Sequence, residues 1–288
     1  MRFGSALWQW MPVAVRAILT GLVVLLCGAL GWSAITLGSL HLAASVSWVA
    51  GPLALLAGSI FLWGYWRYLG GAWWPRSTSF ARRERLRANR LSGRAWAWAL
   101  MTGTLATLSF IALLTVWGRL IRLQPWTVTG VSHYSFVTAL CILTGAAAEA
   151  GVVEEAAFRG YMQAKMEEQY GPRVAIIAVA LVFGLVHLAN GNHELTWLLP
   201  YSVFGAILGV LAYRTNSIVP GVLLHAAVDA VRFWLAGRGS PSSPRHLIWE
   251  SGVDLNFWAN LAVAGVFGSA AILAQRRLAA LRLRSQQP

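Results

Sequence analysis

Acidic residues are scarce in this chain and lysine is almost missing. Ten Asp and Glu stand against 23 Lys and Arg, and Lys165 is the sole lysine. Charged residues make up 11% of the 288 positions, against roughly 25% in soluble proteins, which argues against an ordinary water-soluble domain. There are two cysteines, Cys27 and Cys141, both within apolar runs and not in a CxxC pair, so neither a disulfide framework nor a thiolate metal site is indicated and core packing is their expected role. The sequence also lacks a GxGxxG, a Walker A loop and an internal repeat.

What fills the space is hydrocarbon: 57% of residues are hydrophobic and mean hydropathy is +0.59. Spanning a bilayer takes about 20 apolar residues, and eight such runs can be marked, at 13–36, 44–66, 95–118, 134–156, 174–190, 195–213, 217–236 and 256–275. The first is too long for a signal-peptide core and reads as a retained span. The expected fold is all-α, a polytopic membrane bundle of about eight helices around a polar cavity. A two-span segment with a basic loop is expected over 1–94 and the main bundle over 95–288, with a core at about 134–236.

The net charge of +13 does not point to nucleic acid, because the arginines flank spans: the loop at 67–94 and the tail after span eight carry most of them. Basic residues beside spans mark the cytoplasmic side, which puts both termini there and leaves Arg232, Arg238 and Arg245 as exceptions on the outer side. The amphipathic-looking 81–94 segment is read secondarily as a contact for anionic lipid. Arg over Lys, with abundant Ala, Gly and Trp, suggests a GC-rich bacterial genome and hence the bacterial inner membrane.

Topology does not require the stretch "GVVEEAAFRGYMQ" at 151–163. Glu149, Glu154 and Glu155 lie within seven positions of an apolar region, and Asp229 adds an acid inside another. A charge at the centre of a membrane helix costs about 2.5–3.5 kcal/mol, and such residues usually pair and mark function. On an α-helix, Glu155 and Arg159 share a face with the acid first, the better order for an ion pair. Glu154 points about 140° from Arg159 at about 100° per residue, leaving it for chemistry or a ligand. A hairpin turning at Tyr170-Gly171 would set Glu154 level with His187, whose helix face also carries Phe183. His225 and Asp229 are four apart, so the carboxylate can fix the imidazole's tautomer. Taken singly, each of these could be a packed structural group. His41, His133 and His246 stand near span ends and are read as structural, and "NHELTW" at 192–197 fails as a zinc helix because Trp197 occupies the second histidine's place.

"EEAAFR" fits E-E-x-x-x-R, "FGLVH" fits F-x-x-x-H and "HAAVD" fits H-x-x-x-(N/D), in that order on successive apolar helices. The set resembles the CAAX-protease and bacteriocin-processing family of intramembrane endopeptidases, which includes the type II CAAX prenyl endopeptidases, over about 134–236. The resemblance implies a multi-helix fold with a water-accessible cavity and hydrolysis of a peptide bond near the membrane surface. It implies Glu154 as the base that activates water, His187 assisting, His225 and Asp229 stabilising the oxyanion, Glu155 and Arg159 holding the helix, and Phe183 in support. Asn is expected at the last position of the prenyl-protein processors; the Asp229 found here is better suited to orienting His225.

Glu154, His187 and His225 also make a His₂Glu set of the kind that holds zinc. The favoured reading is metal-free, with no cofactor and with zinc as the alternative. The expected partners are the bilayer and a membrane protein, lipidated peptide or leader peptide as substrate. The competing readings are a non-proteolytic immunity or partner-binding membrane protein of the same family, and a proton-coupled transporter.

Overall fold

The computed structural model describes residues 10–42, 47–123, 131, 134–189, 194–237 and 246–284. His133, His193, Arg238 and Arg245, named above, lie outside the described residues. Helices run over Val13–Leu42 (α1), Ser47–Leu69 (α2), Ser79–Leu86 (α3), Gly93–Leu120 (α4) and Phe136–Glu149 (α5). A wide helix follows at Ala150–Gln163, with i→i+5 backbone bonding; we call it the π segment. Next come Ala164–Ala189 (α6), Leu198–Thr215 (α7), Val219–Gly237 (α8), Ile248–Ser251 (α9) and Leu255–Arg284 (α10). The protein is a polytopic helical bundle, as its composition requires.

Among the described residues seven helical stretches are long and apolar enough to cross a membrane, the longest being Phe136–Ala189 with 54 residues. The expected eight differ by one because the fourth and fifth runs are merged in this stretch. Gly171 interrupts it, with φ 76° and ψ 164°, and Pro172 follows it. These dihedrals belong to a region open essentially to glycine alone, so the break falls where the Gly-Pro pair predicted it.

The chain divides into two compact units, each drawn from separate parts of the sequence. Unit 1 holds Met1–Ala88, Val128–Ile176 and His225–Gly237; unit 2 holds Asn89–Thr127, Ile177–Leu224 and Arg238–Pro288. By contacts, then, the two N-terminal spans share a unit with the π segment.

Within unit 1 the π segment is the most deeply buried element. Val153, Ala156, Ala157, Phe158 and Met162 are inaccessible, and so are Glu155 and Arg159. Small residues allow the close approach that membrane helices need in place of a hydrophobic drive. A Cβ added at Gly28 of α1 would fall 2.4 Å from Val153, so α1 packs backbone-close beside the glutamates. Trp32, Leu62 and Val153 form the cluster at that contact, and the Tyr65 hydroxyl donates to the Val24 carbonyl at 2.8 Å. The outward faces are apolar, for instance Val23, Leu26, Leu56 and Ile60, as hydrocarbon surroundings demand.

α3 is shorter than the amphipathic 81–94 segment expected, and its arginines are not all at the surface. Arg82 is buried, stacks over Tyr68 at 4.3 Å and donates to the carbonyl of Trp73. Arg87, also buried, pairs with Glu167 at 3.2 Å. Through these two arginines the segment packs within unit 1, and Arg85 is left exposed.

In unit 2, α4 begins at Ser92, whose side chain accepts the Ala95 N–H at 3.3 Å. The Ser109 hydroxyl donates to the Ala264 carbonyl at 2.8 Å, tying α4 to α10. Arg119 pairs with Asp254 at 2.6 Å and Arg122 with Glu250 at 2.7 Å. The Asp254 carboxyl is held below its ordinary range by the Arg119 hydrogen bond, and that of Glu250 by the Leu247 N–H.

The Gly171 dihedrals give a direct test. Gly171→Ala meets no atom within 4 Å, so its whole effect is backbone strain, about 1–3 kcal/mol. Its unfolding midpoint in detergent should fall by several degrees. Gly93→Ala, equally uncrowded but at a helix start, should leave the midpoint unchanged or raise it.

Candidate active site

The site in unit 1 is built from the π segment and the second half of α8. Glu155 is its innermost acid, with no exposed side-chain surface. Its Oε1 accepts from Arg159 Nη1 at 2.8 Å, and the same oxygen lies 3.0 Å from His225 Nδ1. The Glu155–Arg159 pair is therefore the i,i+4 pair expected, but the carboxylate serves two partners. Its contact with His225, 70 positions away, had no signal in the sequence.

On its other side, His225 Nε2 stands 3.4 Å from Asp229 Oδ2 and 3.8 Å from Glu154 Oε2. The i,i+4 His and Asp pairing of α8 is thus present. An imidazole with a carboxylate oxygen opposite each nitrogen satisfies both only by donating from both. The Nε2 distances exceed the roughly 2.7–3.2 Å of a firm N–H···O bond. Asp229 is the nearer of the two carboxylates on that side.

The two adjacent glutamates are unequal in access. The Glu154 side chain is 20% exposed where that of Glu155 is sealed. The structure corrects the α-helical phase used to separate them, because the i→i+5 bonding of the π segment widens the turn. Arg159, five residues after Glu154, comes nearer to its line than α-helical phase allows, and it lies within electrostatic reach of both acids.

Two more groups join the set. Glu149 lies within electrostatic reach of Glu154, His225 and Asp229; the sequence had marked it only as part of the acidic concentration. Arg232 Nη1 stands 4.0 Å from Asp229 Oδ1. That contact explains one exception to the charge rule: Arg232 is a counter-ion, not a topology mark. Arg119 and Arg122, on the side expected to face outward, are likewise paired with acids.

His187 belongs to unit 2, and its surroundings are described there. Its Nδ1 is 2.9 Å from the Phe183 carbonyl. A carbonyl can only accept, so Nδ1 is the donor of this bond. The ring lies 4.3 Å from those of both Phe183 and Tyr201. Phe183 is buried, while His187 retains partial access. Phe183 thus supports His187 twice, through its carbonyl and through its ring. Tyr201 was not foreseen.

A histidine holds a metal through a lone pair on an unprotonated nitrogen. His225 presents both nitrogens to carboxylates, and among the described residues no three His, Cys, Asp or Glu side chains form a group that could hold a metal ion.

Stability should separate the glutamates. Glu155→Ala removes the partner of a fully buried arginine and of His225 Nδ1, and breaking a buried pair in this way costs about 3–5 kcal/mol. Glu154→Ala, at a partly open position, should cost less than about 1 kcal/mol. Thermal unfolding in detergent measures both, and equal losses would refute the division.

Comparison with known proteins bears on the same stretch. The family model described as type II CAAX prenyl endopeptidase Rce1-like matches residues 133–231, which include the π segment, His187, His225 and Asp229. No curated protein matches the chain. No solved structure matches it.

Proposed function

With the Rce1-like, type II CAAX prenyl endopeptidase family model matching residues 133–231, we propose that this integral membrane protein hydrolyses a peptide bond in a membrane-associated substrate, with Glu154 activating the water. The family match supports a CAAX-type intramembrane protease in general. The observation that carries the finer reading is the unequal access of the two glutamates: Glu155 is sealed between Arg159 and His225, while the Glu154 side chain, opposite the other nitrogen of the same imidazole, is 20% exposed.

Glu154 takes a proton from water as its oxygen bonds to the scissile carbonyl carbon. Positive charge at His225, donated through Nε2–H, then faces the developing oxyanion. Preorganised donors of this kind contribute about 10²–10³ in rate. As the C–N bond breaks, Glu154 returns the proton to the leaving amine. Asp229 steers Nε2–H and is itself balanced by Arg232. His187, oriented by the Phe183 carbonyl, assists Glu154. Glu155 and Arg159 hold His225 and the helix in register.

The mechanism is proposed as metal-free, supported by the engagement of both His225 nitrogens. Its substrate is a lipidated, leader or membrane-anchored peptide, consistent with an active centre among membrane spans. The inner membrane of a bacterium, with both termini cytoplasmic, is the proposed location.

Cleavage of a membrane-anchored peptide panel by the detergent-purified protein tests this reading. Glu154→Gln should lower kcat by about 10²–10⁴ with its unfolding midpoint preserved. Activity that survives this change would remove Glu154 as the base. A chelator should leave the wild-type rate unaltered, and a loss restored by zinc would overturn the metal-free mechanism.

A further inference from the structure

A second polar site lies in unit 1, at the end where α1 begins. A cavity of about 110 Å³ is lined by Arg16 and Thr20 of α1, Arg85 of α3, and Tyr161 and Lys165 of the central helix, closed on the apolar side by Val13 and Ala17. A water needs about 10–15 Å³ of such space, so there is room for several waters or one phosphate group. Cations from three separate elements line it, and no acid does. Lys165 has Glu168 beside it. Arg16 Nε is buried and has no hydrogen-bond partner among the described residues. A buried guanidinium nitrogen without an acceptor is costly. The Thr20 hydroxyl donates instead to the Arg16 carbonyl at 2.7 Å, and the Tyr161 hydroxyl donates to the Leu69 carbonyl at 3.3 Å. Both hydroxyl protons are thus spent on backbone carbonyls, and the donors the wall offers an anion are its cations, Arg16, Arg85 and Lys165, the last also ion-paired with Glu168.

The depth of the cavity indicates where the anion comes from. Val13 is the first residue of the apolar stretch Val13–His41, so the cavity stands at the level where a span meets headgroups. From there an exposed apolar stripe of Val15, Leu19, Val23, Leu26 and Leu30 follows the neighbouring face of α1, at the i, i+4 and i+3 spacings of one helix face. We infer that this cavity binds the phosphate of an anionic phospholipid headgroup, with an acyl chain lying along that stripe.

The site also touches the catalytic helix. Tyr161 and Lys165 follow Glu154 and Glu155 on the same continuous helix, and a Cβ added at Gly160 would stand 3.2 Å from the Arg85 carbonyl. A bound phosphate joins Arg16, Arg85 and Lys165, and so fixes α1 and α3 against the end of the helix that carries both glutamates. Binding itself does not depend on proteolysis, and its test needs no substrate.

The protein in nanodiscs of phosphatidylcholine with phosphatidylglycerol should release into native mass spectrometry with one phosphatidylglycerol retained in preference to phosphatidylcholine. Each juxtamembrane cation contributes enough that Arg16→Gln and Lys165→Gln should each lower this retention about fivefold, with Arg16→Lys close to wild type. Lys165 is part-exposed, so Lys165→Gln carries the test if Arg16→Gln does not fold. Retention unchanged in the variants, or no preference over phosphatidylcholine, overturns the site. Saturable binding of inorganic phosphate in phosphatidylcholine nanodiscs, lost in Lys165→Gln, would assign the cavity to free phosphate and overturn the lipid as its source.

Discussion

The Glu155 carboxylate is the charge on which the arrangement of unit 1 rests. One of its oxygens meets both Arg159 Nη1 and His225 Nδ1, and all three side chains are almost wholly removed from solvent. Within a membrane span each such charge alone would cost a few kcal/mol, and a buried ion pair seldom repays its desolvation in net stability. What the pair does provide is a unique geometry, because a buried carboxylate that must satisfy two donors admits few alternative positions. It fixes the ring of His225, and the ring fixes where Asp229 and Glu154 meet Nε2. With His225 donating at both nitrogens, Glu154, Glu155 and Asp229 face Arg159, Arg232 and His225, three acids against three cations.

Much of this was legible because it is local. The i,i+4 spacings of Glu155 with Arg159 and of His225 with Asp229 follow from helix geometry alone, and both pairs are present. The break at Gly171 was readable from the following proline and the positive φ that glycine permits. The polytopic helical class followed from the scarcity of charge. What escaped was of two kinds. Contacts across long sequence separations, such as Glu155 with His225, carry no periodic signal. Arg232 was counted as a topology exception because net-charge reasoning treats every arginine as solvated, whereas this one stands beside Asp229.

The lipid-facing surface and the polar interior obey one rule from opposite sides. Outward residues such as Leu26 and Ile60 are exposed and apolar, since hydrocarbon offers no partner to a polar group. Inward, glycines such as Gly28 bring backbones close enough for a buried Glu or Arg to be enclosed on all sides. Arginines of the 82–87 stretch that looked like a surface stripe are partly buried within unit 1, as Arg82 and Arg87 are, and the distinction follows from whether a carbonyl or carboxylate is within reach.

Two adjacent glutamates on one helix would ordinarily diverge by about 100° and could not both address one small ring. The π segment changes that constraint. A helix bonded i→i+5 holds more residues in each turn, so neighbours diverge less in angle, and such wide turns are often found at functional sites. Glu155 meets Nδ1 of His225 at 3.0 Å, while Glu154 faces Nε2 at 3.8 Å. The widened backbone therefore lets one sequence dipeptide clasp both sides of an imidazole, from one side chain that is sealed and another that is 20% exposed. An α-helical Ala150–Gln163 would keep the Glu155–Arg159 pair, since that pair needs only i,i+4 spacing, but would turn Glu154 away from His225. The unusual geometry is thus required by the second glutamate, not by the ion pair that first draws attention to the motif.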